Sequence, residues 1–100
     1  METLEITQLE GEQGLRLAGE LDLISVPRLR EAFANVPRSG PAALDISALT
    51  FIDSSGLHAI VEIAGAQDGS GPLIVKGASE MMLRMFKITN LTEHPGLDIR

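Results

Sequence analysis

The residues with the most chemical potential in this chain are Asp53-Ser54-Ser55-Gly56, with His58 four positions after the first Ser. A hydroxyl beside a carboxylate, with an imidazole one helical turn away, permits three uses. Ser54 could be a nucleophile, a helix cap, or an acceptor of a phosphoryl group. Nucleophilic use fits worst. A nucleophile elbow needs Gly-x-Ser-x-Gly, and Ile52 stands where the first Gly belongs. A triad also needs an oxyanion hole, which no other motif signals. The other two uses suit a helix start, whose unpaired N–H groups and positive dipole end accept a Ser or Asp cap and tolerate an added phosphate. On these residues alone, capping and modification both stand.

Other chemistries are poorly supported. The chain has no Cys, hence no disulfide, thiol nucleophile or thiolate zinc site. Its two His, His58 and His94, have no metal-ligand spacing, so neither a metal nor a cofactor is expected. Gly69, Gly71 and Gly77 are not followed by Gly-Lys-Ser/Thr, which argues against a nucleotide-binding enzyme. Formal charge is −6, with nine acids against four bases before Ser54 and near balance after it. Nucleic acid needs a basic face and is a poor partner. Acidity instead favours solubility or a protein partner with a basic patch. The N-terminus has neither a basic nor an apolar leader region, and no apolar run could span a bilayer. No membrane insertion and a cytoplasmic location are expected.

The elements that must position the motif can be read from periodicity. Leu4 and Ile6 alternate with polar residues as in a half-buried strand, and Glu10 to Gly14 reads as a hairpin loop. Leu15, Leu17, Gly19 and Leu21 give a second period-two run. Ser25-Val26-Pro27 predicts a helix start, and Val26, Leu29, Phe33 and Val36 recur at helical spacing, with Arg28, Arg30 and Glu31 off that face. Pro37 to Pro41 ends the helix. Ala42–Ser47 predicts a short interior strand, and a helix is expected from about Leu57 to Gln67. Asp68 to Pro72 is a turn, Leu73–Val75 a buried strand, and Ser79 caps a helix from Glu80 to about Lys87. Leu97 and Ile99 form a last strand. The order β-β-α-β-α-β-α-β fits a single α/β domain over residues 1–100, with crossover helices and parallel pairing beyond an antiparallel hairpin.

Two helices carry more apolar residues than one buried face needs. After the Ser motif, Leu57, Ile60, Val61 and Ala64 share a face, while Ala59, Ile63 and Ala66 lie off it. That helix is either buried on two sides or offers an apolar strip to a partner. In the last helix Met82 and Phe86 suit a core. Met81 and Met85 share a different face, suited to core filling or to adaptable binding.

Gly19-Glu20-Leu21-Asp22, Leu44-Asp45-Ile46-Ser47 leading into Phe51-Ile52-Asp53-Ser54-Ser55-Gly56-Leu57, Leu73-Ile74-Val75, and Phe86-Lys87-Ile88-Thr89-Asn90-Leu91 together resemble the STAS domain family, of the bacterial anti-sigma factor antagonist type. The resemblance covers nearly the whole chain. It implies a STAS-like mixed sheet with an N-terminal antiparallel hairpin and helices packed on it, and a non-enzymatic role in regulating transcription. It implies that Ser54, less readily Ser55, is phosphorylated by an anti-sigma factor that is also a serine kinase, and that a serine phosphatase resets the switch. Unphosphorylated, the domain would bind that partner; phosphorylated, it would let go. Asp22 matches the family's acidic residue near the acceptor, and Asp53 precedes it as expected. The implied partner-binding set is Asp22, Asp53, Ser54, Ser55, Gly56 and His58, with Met81 and Met85 as secondary candidates. No Arg or Lys lies within the loop to neutralise a phosphate. The same family also supplies subunits of lipid-transport ABC complexes and of stress-sensing scaffolds, which remains the alternative. A monomer is expected, with a dimer open.

Overall fold

The computed structural model describes residues 3–36, 40–66 and 71–100. Five strands form one sheet in the order β1-β2-β3-β4-β5: β1 (Leu4–Gln8), β2 (Gly14–Leu21), β3 (Ala42–Ile52), β4 (Leu73–Lys76) and β5 (Leu97–Ile99). β1 pairs antiparallel with β2, and every later pairing is parallel. The helices α1 (Val26–Ala34), α2 (Ser54–Gly65) and α3 (Glu80–Ile88) make the three crossovers. A short 3-10 helix, Leu91–Glu93, precedes β5.

Successive right-handed crossovers in one direction put all three helices on one face of the sheet. The burial pattern agrees. Leu4, Leu15, Leu17, Leu44, Ile46, Leu73 and Val75 are buried under the helices, while Glu5, Thr7 and Arg16 face outward. Aliphatic side chains and Phe33 and Phe86 fill the core. Helix α2 is buried on two sides. Leu57, Ala59, Ile60, Ile63 and Ala64 are all buried, so the extra apolar residues serve packing against the sheet and α1. Ala66 is exposed and Val61 half-buried.

Two boundaries differ from the sequence expectation. Strand β3 is not short: it runs on through Leu49 to Ile52. Its register with β2 shifts between Arg16 and Ala18 and again between Gly19 and Glu20, and such irregularities hide the alternation that would have revealed its length. Helix α2 begins at Ser54, three residues before Leu57. Ser25 occupies the N-cap position of α1 but makes no side-chain capping bond there. Ser79 does cap α3, accepting from the Met82 N–H at 3.2 Å. The helix-stop segment and the Asp68 turn fall largely on residues 37–39 and 67–70, and Gln67 with them, outside the described residues.

Strand β4 pairs only with Ala42–Asp45 of β3. Beyond Asp45, β3 has β2 as its one ladder partner, up to Leu21 opposite Ile52. The carboxyl tips of β2 and β3 therefore project past β4 and β5. Asp22 and Asp53 each follow one of these tips.

Candidate functional site

The site is built on those two tips. Asp53, with extended backbone, is the N-cap of α2; its Oδ1 accepts the Gly56 N–H at 3.0 Å and its carbonyl accepts the Leu57 N–H at 3.0 Å. The Asp53 N–H in turn donates to the Leu21 carbonyl at 3.3 Å, which ties the helix start to β2. Because Asp53 makes the cap, Ser54 is not needed for it. Ser54 is the first residue of α2 and is exposed; Ser55 is half-buried. Gly56 is buried, and a Cβ there would come within 2.7 Å of Ile52 Cγ1 and 2.8 Å of the Leu21 carbonyl oxygen. Only Gly lets α2 start this close to β2 without displacing them.

A second clamp holds the loop after β2. Asp22 Oδ1 accepts from the Ile24 N–H at 3.1 Å, the Ser25 N–H at 3.0 Å and the Ser25 hydroxyl at 3.1 Å. The Ser25 Oγ, buried, also accepts the Asp22 N–H at 2.9 Å. The Ser25 N–H bond is the main reason the Asp22 carboxyl is held below its ordinary value of 3.8, with the Ser25 hydroxyl and Ile24 N–H adding to it against partial desolvation. Asp22 is thus an anion at neutral pH whose side chain shapes the loop.

That clamped loop displays two residues absent from the sequence-based set. Leu23 and Ile24 are 72% and 85% exposed, although both are large and apolar. Phe51, 47% exposed, stands two residues before Asp53. Leu23, Pro27 and Arg30 face Ser54, Ser55 and His58 across an open depression of about 400 Å³ between α1 and α2. The signal for Leu23 and Ile24 lay in the sequence: two apolar residues sit between the end of a strand and the start of a helix, where no element can bury them.

His58 is exposed and pairs with Glu62, Nε2 to Oε1 at 3.2 Å. Arg30 reaches the same oxygen at 2.7 Å. No base belongs to the loop itself, but α1 brings Arg30 to its edge. The methionines lie elsewhere. Met81 is 73% exposed on α3, Met85 is half-buried against the core, and neither lines the depression beside Ser54. Strand β4 ends opposite Asp45, so α3 starts from a lower level of the sheet than α2. His94 is half-buried in its loop, where Nδ1 accepts the Gly96 N–H at 3.0 Å. Among the described residues no group of three His, Cys, Asp or Glu could hold a metal ion, and no helix is long and apolar enough to cross a membrane.

The chain is similar to known proteins over most of its length. A family model described as "Mlab, STAS domain" matches residues 5–98. The anti-sigma-B factor antagonist of Bacillus subtilis is 30% identical over 94 residues, covering 90% of this chain and 84% of that protein. The protein of the same name from Listeria monocytogenes is 28% identical over 80 residues, covering 77% and 70%. Among solved structures, an anti-sigma factor antagonist from Mycobacterium paratuberculosis superposes with a TM-score of 0.76 at 22% identity, covering 96% of this chain and 84% of that one. At that identity the superposition establishes the fold.

Proposed function

The chain belongs to the STAS domain family, and from that membership and the geometry of Ser54 we propose that it is an anti-sigma factor antagonist switched by phosphorylation of Ser54. Unphosphorylated, it binds an anti-sigma factor that is also a serine kinase and so frees a sigma factor. Phosphorylated, it is released until a serine phosphatase resets it. The carrying observation is the exposed Ser54 at the head of α2, spared from capping by Asp53 and sharing an open depression with the exposed Leu23.

The physics of the veto is simple. Covering Leu23 and Ile24 favours docking, at about 25 cal/mol per Å² of apolar surface removed from water. A partner seated on Leu23 also covers Ser54, which lines the same depression. A phosphate there adds about −1.5 to −2 charge beside Asp22 and Asp53. Burying it under a partner without full pairing is costly. Within the free domain the helix start tolerates it, with a favourable contribution of about 0.3–1 kcal/mol. Release then needs no change of fold. Asp22 and Gly56 serve this surface by shaping it, as loop clamp and close-packing residue.

The test is phosphorylation by the cognate kinase with ATP, followed by mapping of the modified residue by mass spectrometry. The phosphate is expected on Ser54 and absent from the Ser54→Ala variant. Modification confined to another residue overturns the assignment. The alternative reading is a STAS subunit of a lipid-transport ABC complex or of a stress-sensing scaffold. Stable co-purification with an ATPase and permease, indifferent to a phosphate on Ser54, would select it.

A further inference from the structure

Two basic side chains that line the depression beside Ser54 share one carboxylate oxygen. Arg30 Nη2 lies 2.7 Å and His58 Nε2 3.2 Å from Glu62 Oε1. Ser54, His58 and Glu62 follow one another at four-residue intervals, so they run down one face of α2. Arg30 comes from α1 and stands between two depressions. One is the Ser54 depression; the other, of about 170 Å³, lies one turn further along and includes Glu62 and Phe33. The three side chains are 48%, 73% and 43% exposed, so their pairing is weak and easily exchanged.

We propose that Arg30 and His58 form a relay of counter-cations that leaves Glu62 and pairs with the phosphate when Ser54 is phosphorylated, filling the depression between α1 and α2. This rests on Ser54 being the acceptor in the switch. The exchange is driven by charge and shape. A phosphate offers up to twice the charge of a carboxylate and three acceptor oxygens, and a guanidinium matches it through two parallel N–H bonds. His58, one turn from Ser54, contributes when protonated. Asp22 and Asp53 oppose the gain in anionic charge, and Glu62 competes for the same cations. A partner approaching the modified domain then meets a filled depression as well as an added anion. Removal of the phosphate returns both bases to Glu62 with no movement of the backbone.

The test uses the full chain with phosphoserine placed at position 54 during synthesis, so no kinase is involved. The phosphate is titrated by phosphorus NMR, and the His58 ring signals are followed by proton NMR at fixed pH. Arg30→Gln is expected to raise the phosphate midpoint by roughly half a pH unit, and Glu62→Gln to lower it by a smaller amount. At fixed pH the His58 ring signals should move between the unmodified and the phosphorylated chain. Phosphate midpoints unmoved by both substitutions, or moved in the same direction, overturn the relay. So does a His58 ring indifferent to the phosphate. Since the phosphoserine is installed directly, the outcome stands whether or not a kinase selects Ser54, and failure of the relay is distinct from failure of the switch.

Discussion

The tips of β2 and β3 and the outer face of α3 both expose large apolar side chains, yet they differ in everything around them. At the tips, Leu23 and Ile24 sit on a loop fixed by three bonds to Asp22 Oδ1, beside an exposed hydroxyl, an anion and an arginine. On α3, Met81 and Ile88 are 73% and 77% exposed, on a helix anchored from its other side by Met82 and Phe86. One region combines rigid display with chemistry that can be altered by a modification. The other shows exposure alone. The difference teaches that a docking surface is recognised by what holds it and what can change it, more than by its hydrophobicity.

That contrast can be broken or sharpened by substitution. The largest effect is expected within α3 itself. Phe86→Ala, which empties a fully buried site, should cost about 3–5 kcal/mol of stability in urea unfolding. Gly56→Ala forces a methyl against Ile52 and the Leu21 carbonyl and should cost about 1–3 kcal/mol. The paired change Leu23→Ser with Ile24→Ser should leave stability within about 0.5 kcal/mol but weaken partner binding by about tenfold or more. Met81→Ser should alter neither; a loss of binding as large as that at Leu23 would erase the distinction between the two faces. The smallest effect concerns acid. Asp22 has a folded-state pKa below its unfolded value, so its stabilisation is full above about pH 3.8 and is lost as pH falls through the folded value. Asp22→Asn should flatten that acid limb, seen in melting temperatures measured between pH 5 and pH 2.

Much of the fold was legible. Period-two runs at Leu4 and Leu15 and three apolar helical repeats gave the element order and the mixed sheet, because burial on one face imposes those periods. The full reach of β3 was hidden by its register shifts against β2 and by Ser47, whose N–H donates to Asp45 Oδ1 at 2.9 Å within the strand. The Asp53-Ser54-Ser55-Gly56 segment was legible as a helix start, but which residue caps it was not. Asp53 and Ser54 are both able caps, and backbone geometry decides between them. Arg30 was read as a polar residue off the buried face of α1. Its place beside Ser54 depends on packing against a helix that starts 24 positions later, which no local pattern encodes.

The most direct test of the account is calorimetric titration of the anti-sigma factor with two forms of this chain, one with Ser54 free and one with phosphoserine at that position. A like-charged, desolvated phosphate costs several kcal/mol, so the modified form should bind about 100-fold more weakly or worse. Equal affinity of the two forms would contradict it.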